Sequence, residues 1–286
     1  MAIDDWRRTS FDDSAQAALP PLDFCLPNLL AGSVGTVAAE PGIGKTSLLM
    51  QLGAAVAAGV PVAGGAFPAP ASTGKVVFLA AEDPPLMLDR RAHFLAKSLD
   101  TAGGGVREVL ERNFALYSVV GHAPMLVHER GVSRGAWDEL SRAAAGARLV
   151  ILDPLRAFHW CEDSDYRNLT LLYRILMDIA AARGCTILFS HHLVGPSYAL
   201  RGEARDSAHG LDAFINPTRW VLNMLPMSEE EARAHSVERA TMRQYVRVTV
   251  PKSNYGPPLA SVWLRRSIEF EGMFERADLP GATPAR

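Results

Sequence analysis

The residues of this chain best equipped for chemistry are Glu40-Pro41-Gly42-Ile43-Gly44-Lys45-Thr46-Ser47, set between an apolar run and a segment rich in Leu, Met, Gln and Ala. Glycines let such a loop curl so that successive backbone N–H groups converge, and a helix starting at Lys45 adds its positive end. The result is a cradle for phosphate oxygens. Lys45 is placed to neutralise β- and γ-phosphates, and the Thr46 hydroxyl to take a magnesium position. The glycine that usually opens a G-x-x-x-x-G-K-S/T loop is Ala39 here, at a strand end where a small residue suffices.

Two acidic positions extend the pattern. The apolar run 148–152 ends in Asp153, the arrangement of a Walker B carboxylate that holds a magnesium shell. The run Lys75–Ala80 leads into Ala81-Glu82-Asp83-Pro84-Pro85. A Glu at that strand end can polarise an attacking water, whereas Asp83 suits the cap of the next helix. A further run, 185–190, ends in His191-His192. An imidazole there can touch a γ-phosphate and signal its presence to the following loop. No third ligand stands at metal spacing, so zinc is not the reading.

These groups need a scaffold that brings several strand ends together. Strands are expected at Val34–Ala39, Lys75–Ala80, 114–120, 148–152, 185–190 and 219–224. Helices are expected at Lys45–Ala58, 86–100, 133–146 and 168–183, with Ser228 and Glu231 forming a capping box on a short one. Continuous rather than alternating apolar strands imply a parallel sheet covered on both faces. Strands 245–250 and 260–265 around Asn254-Tyr255-Gly256 read as a hairpin. The chain divides into an N-terminal arm (1–20), one domain (21–277) and a Pro/Gly/Ala-rich disordered tail (278–286).

The chain has 286 residues, 48% of them hydrophobic, which suits one large core. A net charge of -2 excludes binding of nucleic acid by bulk charge but leaves room for a local basic channel. Three widely spaced cysteines form neither a disulfide framework nor a zinc site, and reduced cytoplasmic thiols are expected. No secretory start is present, and no apolar stretch approaches the roughly 20 residues of a membrane span. No membrane association is expected.

The constellation Glu40 to Gln51, Glu82, Asp153 and His192 resembles the RecA-like core of ring ATPases. More closely, the chain resembles the RepA-type hexameric replicative helicases of broad-host-range plasmids. The likeness lies in Pro21-Leu22-Asp23-Phe24 with Leu26-Pro27-Asn28, Ala80 to Pro85, Leu152-Asp153 with Arg156-Phe158-His159, His191-His192, Arg219-Trp220, and Lys252-Ser253-Asn254-Tyr255-Gly256. It implies an α/β RecA-like P-loop fold, a mainly parallel twisted sheet flanked by helices with a C-terminal β-hairpin. It also implies ATP and Mg2+ as cofactors, a homohexameric ring, and single-stranded DNA as partner, with a plasmid initiator and primase nearby.

By the same resemblance Glu82 is the catalytic base, Arg91 supports the site or the DNA path, His192 senses the γ-phosphate, and Lys252 acts on a neighbour's phosphates. Arg156, Arg201 and Arg205 face DNA. Where the family carries an Arg-Gly pair, a candidate arginine finger, this chain has His209-Gly210, so Arg201 and Arg205 become substitutes for that role. The competing readings are a RecA- or RadA-like ATPase without unwinding, a nucleotide-dependent regulatory or DNA-binding protein, and a small-molecule kinase. The last lacks its usual Arg-rich lid and leaves Glu82 and His192 without a role.

Overall fold

The computed structural model describes residues 9–100, 105–129, 131–162, 165–192 and 217–280. Helix α1 (Phe11–Gln16), capped by Ser10, lies in the N-terminal arm and buries none of its residues. The chain joins the body at Asp23, whose carboxylate takes a two-pronged bond from Arg148 at 2.6 and 2.9 Å. A small ribbon follows, β1 (Phe24–Leu26) and β2 (Leu29–Leu30).

The core elements then alternate: β3 (Val34–Ala39), α2 (Lys45–Ala58), β4 (Lys75–Ala80), α3 (Pro85–Asp100), α4 (Val106–Asn113) and β5 (Phe114–Ser118). Next come the ribbon β6 (Val127–His128) and β7 (Gly131–Val132), α5 (Arg134–Ala143), β8 (Ala147–Asp153), α6 (Tyr166–Arg183) and β9 (Thr186–His192). The last part holds β10 (Trp220–Pro226), α7 (Glu229–Ala234), β11 (Tyr245–Ser253), β12 (Val262–Arg266) and β13 (Phe274–Arg276).

Nine strands form one sheet in the order β13-β12-β11-β10-β3-β9-β8-β4-β5. From β10 to β5 every neighbour is parallel, and β11, β12 and β13 continue antiparallel. The expected α/β class, mainly parallel sheet and C-terminal hairpin are all present. The central strands are buried on both faces because two separate apolar cores cover them. One packs Leu48, Leu52 and Val56 of α2 and Leu95 of α3 against Val37, Phe78 and Ile151. The other packs Leu140 of α5 and Leu172, Leu176 and Ile179 of α6 against Val150, Leu152 and Phe189. This explains why β3, β4 and β8 carry no polar alternation.

Some boundaries move for local reasons. Helix α6 starts at Tyr166 rather than 168, because the Asp165 carboxylate accepts from Asn168 N at 3.1 Å and caps it. Helix α5 ends at Ala143, short of the glycine that was expected to stop it. Helix α4 and strand β13 were not anticipated. Both are short, and α4 sits directly between a glycine run and a strand. The capping box of Ser228 and Glu231 on α7 is present with both bonds. Cys25, Cys161 and Cys185 are free thiols, all buried. No helix among the described residues is long and apolar enough to cross a membrane.

Candidate nucleotide site

The sheet register assembles the site. Ala39, the last residue of β3, pairs with His192 at the end of β9. Ala80, the last residue of β4, pairs with Asp153 at the end of β8. The carboxylate of Glu82 follows two residues later. One cleft at this edge is lined by Gly42, Gly44, Lys45, Thr46, Ser47, Glu82, Asp83, Arg91, Asp153 and His192, together with Arg266, Glu271 and Gly272. Segments far apart in sequence thus converge because parallel strands end together.

The loop itself is held from beneath. Ile43 turns into the core at 6% exposure, so it serves the cleft through its backbone. Gly44 takes φ +97°, a left-handed conformation that side chains resist, and a Cβ there would stand 2.8 Å from the Phe274 ring. Glu40 and Pro41, expected among the nucleotide contacts, flank the loop but do not line the cleft among the described residues. Lys45 is 6% exposed, and its Nζ donates to the carbonyls of Ala39 at 3.0 Å and Glu40 at 2.7 Å. Burial pulls its pKa down to about 8, against the opposing pull of Asp153, Glu82 and Glu40.

Asp153 is buried, and burial raises its carboxyl above the ordinary range while hydrogen bonds from Ser190 and Thr46 oppose the rise. Ser190 Oγ donates to Asp153 Oδ1 at 2.5 Å. Sequence reading passed over Ser190. A lone Ser inside an apolar strand is a usable signal, since a buried hydroxyl needs a polar partner. The buried carboxylate and the Thr46 hydroxyl beside it suit a hard, oxygen-seeking cation that arrives with phosphate and water. No cluster of three His, Cys, Asp or Glu side chains able to hold a metal occurs among the described residues.

Glu82 Oε1 lies 3.9 Å from His192 Nε2. Burial, then the charge of Lys45, holds the His192 pKa below its ordinary value. Its Nδ1 is buried without a partner among the described residues. His191, the preceding residue of β9, is turned by strand alternation to the opposite face of the sheet. Asp83, expected to cap α3, instead accepts from Arg91 Nε at 2.5 Å. Arg91 also reaches Ser47 Oγ at 3.3 Å. The residue expected at the site or along a DNA path therefore forms part of the cleft wall.

Arg156 follows β8 in a short 3-10 turn and donates to His159 O at 3.0 Å. Trp160 close by is 65% exposed. Lys252 on β11 pairs with Val221 on β10, which pairs with Thr36 on β3, three residues before Ala39. Lys252 thus sits about 10 Å back along the strands, away from its own cleft. Arg201, Arg205 and His209 lie outside the described residues. Arg266, Glu271 and Gly272 were missed, because nothing local marks a C-terminal turn as a neighbour of a loop more than 200 residues earlier.

Phosphate loop, strand-end acids and parallel sheet together define a RecA-like P-loop ATPase domain. A family model described as an AAA domain matches residues 4–194, and the chain belongs to that family. The fold is similar to that in the crystal structure of the RadB recombinase, with a TM-score of 0.53 and 15% identity over 87% of this chain and 92% of that one.

Proposed function

We propose that this chain is an ATPase whose bound nucleotide governs its hold on single-stranded DNA, as a recombination mediator or nucleotide-dependent DNA-binding protein of the RecA/RadA kind. The observation that carries this reading is the convergence of Lys45, Thr46, Glu82, Asp153 and His192 on one cleft. The similarity in fold to a recombinase supports the choice of DNA as partner. A kinase reading gives Glu82 and His192 nothing to do.

In this reading Lys45 leaves the Ala39 and Glu40 carbonyls and turns to the β- and γ-phosphates. Thr46 and Asp153 hold the magnesium shell, and the ion supplies charge neutralisation on the phosphates. Glu82 accepts a proton from the attacking water. His192, neutral because burial and Lys45 depress its pKa, donates to or accepts from the γ-phosphate region without adding a second cation. The strand β9 carries that contact toward the segment after His192. Arg156 and the exposed Trp160 supply a charged and a stacking group for DNA. Cytoplasmic action fits the three unbridged thiols.

A second reading, a RepA-type helicase working as a homohexamer, is favoured by how its signature segments meet. Asn28 Nδ2 donates to Pro257 O at 2.6 Å and Trp220 Nε1 donates to Pro27 O at 2.9 Å. Three of the matching segments therefore form one interlocked unit that sets the end of β11. Lys252, remote from its own cleft, then serves a neighbour's phosphates, and Arg201, Arg205 or His209 completes the interface. A plasmid initiator and primase belong to this reading alone.

The test is the ATPase rate with and without single-stranded DNA, alongside Glu82→Gln. DNA stimulation that Glu82→Gln abolishes supports a DNA-directed ATPase. Equal rates with and without DNA overturn it. Strand displacement by the active protein separates the helicase from the mediator.

A further inference from the structure

Two arginines, Arg91 and Arg266, line the cleft, and a third, Arg90, pairs with its lining residue Glu271. Arg91 is held by Asp83. Arg266, at the end of β12, is different. Its sequence neighbour Arg265 pairs with Glu275, and Arg276 on the adjoining strand pairs with Asp278. Arg266 has no carboxylate within ion-pair distance among the described residues, and burial is the sole influence on its pKa, which it lowers. A guanidinium stays charged in spite of that.

The position of this unmatched cation is specific. Arg266 Nη2 donates to Gly42 O, inside the phosphate loop, at 2.6 Å. Its Nε is buried with no acceptor among the described residues. The side chain lines the same cleft as Lys45, Thr46 and Ser47. The charge of Lys45 is offset by Asp153, Glu82 and Glu40 nearby. Among the described residues, Arg266 is therefore the cation of the cleft without a counter-charge. A desolvated, unpaired cation is costly unless an anion joins it, and guanidinium is the group that best matches phosphate oxygens.

We propose that Arg266 is a nucleotide-binding residue acting within its own subunit: its guanidinium, kept at the phosphate loop by Gly42, pairs with the phosphate chain of a bound nucleoside di- or triphosphate. This rests on the reading of the cleft as a nucleotide site and adds a ligand group from the C-terminal sheet. It also links an occupied cleft to β12, the neighbour of β11 and hence of Lys252.

Arg266 as a mere strut for the loop is separable from this by chemistry. Arg266→Gln retains a donor for Gly42 O and removes the charge. The experiment measures the Kd of the full chain for ATP, ADP and AMP with Mg2+, and the melting point of each variant without nucleotide. Loss of a charged hydrogen bond predicts that Arg266→Gln weakens ATP and ADP about 10- to 100-fold and AMP less, with Arg266→Lys between. An Arg266→Gln protein that binds ATP and ADP within about twofold of wild type overturns the assignment, whatever its melting point. Should Arg266→Gln not fold, the native chain decides: ATP protects Arg266 from a dicarbonyl reagent, read by mass spectrometry, and equal modification with and without ATP overturns the proposal.

Lys45→Ala is the control. A wild-type chain that binds no nucleotide sinks the reading of the cleft itself. Binding that Lys45→Ala removes and Arg266→Gln spares sinks only the role of Arg266.

Discussion

The side-chain amide of Gln51 forms a closed pair of hydrogen bonds with the backbone of Phe274, donating to its carbonyl and accepting from its N–H, each at 2.9 Å. Gln51 lies two turns into α2, and Phe274 opens β13. An amide side chain thus acts as one more strand partner for the outermost strand of the sheet. It ties the helix that starts at the phosphate loop to the far C-terminal end of the chain. The Phe274 ring completes the join by packing on Gly44.

Replacing Gln51 by Leu removes both bonds and leaves a buried N–H and a buried carbonyl unpaired. Each unsatisfied buried group costs about 1–3 kcal/mol, so Gln51→Leu is expected to destabilise the chain by about 3 kcal/mol. Urea unfolding measures this, and a loss below about 1 kcal/mol contradicts the buried pairing.

Ser190 holds the carboxylate of Asp153, which in the proposed reading would carry the magnesium shell. Removing such a supporting hydroxyl typically costs about 10- to 100-fold in metal affinity. Ser190→Ala is therefore expected to raise the Mg2+ concentration needed for half-maximal ATP binding by that range, with little change in metal-free nucleotide binding. An unchanged Mg2+ titration shows that Asp153 needs no such support.

Glu82→Gln keeps the size of the side chain and removes the carboxylate proposed as the base. The expected result is ATP binding within a few-fold of wild type and hydrolysis slower by about 10²–10⁴. Single-turnover hydrolysis reads the chemical step directly, and a rate close to wild type assigns the base elsewhere.

Lys45 gives the site a pH dependence with a definite sign. Burial sets its pKa at about 8. A bound triphosphate stabilises the ammonium and raises that value, so binding above pH 8 requires uptake of a proton. Nucleotide affinity is then flat below about 8 and falls toward tenfold per pH unit above it. Calorimetry in two buffers of different ionisation enthalpy detects the proton, and affinity that rises with pH excludes Lys45 as its carrier.

Gly256 approaches Asn28 so closely that an added Cβ would stand 2.0 Å from Asn28 Oδ1. Gly256→Ala is expected to cost about 1–3 kcal/mol by overpacking. Asn28 has φ +62°, so glycine suits its backbone. Asn28→Gly removes the clashing amide, and Gly256→Ala should cost much less in that background. Additive losses in the double variant place the strain elsewhere.

The parallel strands, the phosphate loop and its helix, and the places of Lys45, Glu82, Asp153 and His192 at the ends of strands or the start of a helix were legible in the order of residues. Each depends on local signals: apolar runs of strand length, a Gly-Lys-Thr turn, an acid or imidazole where a strand stops. Those signals act within about ten residues, where backbone sterics and hydrogen bonding are decided. What the order of residues left open was pairing at a distance. That His192 stands beside Ala39 and Asp153 beside Ala80 follows from sheet register alone. Ser190 meeting Asp153, Arg91 holding Asp83, and Arg266 reaching Gly42 depend on how layers pack, since each side chain has many charged or polar partners it could take in an extended chain. Long-range burial selects one, and that selection exists only once the two cores have closed on the sheet.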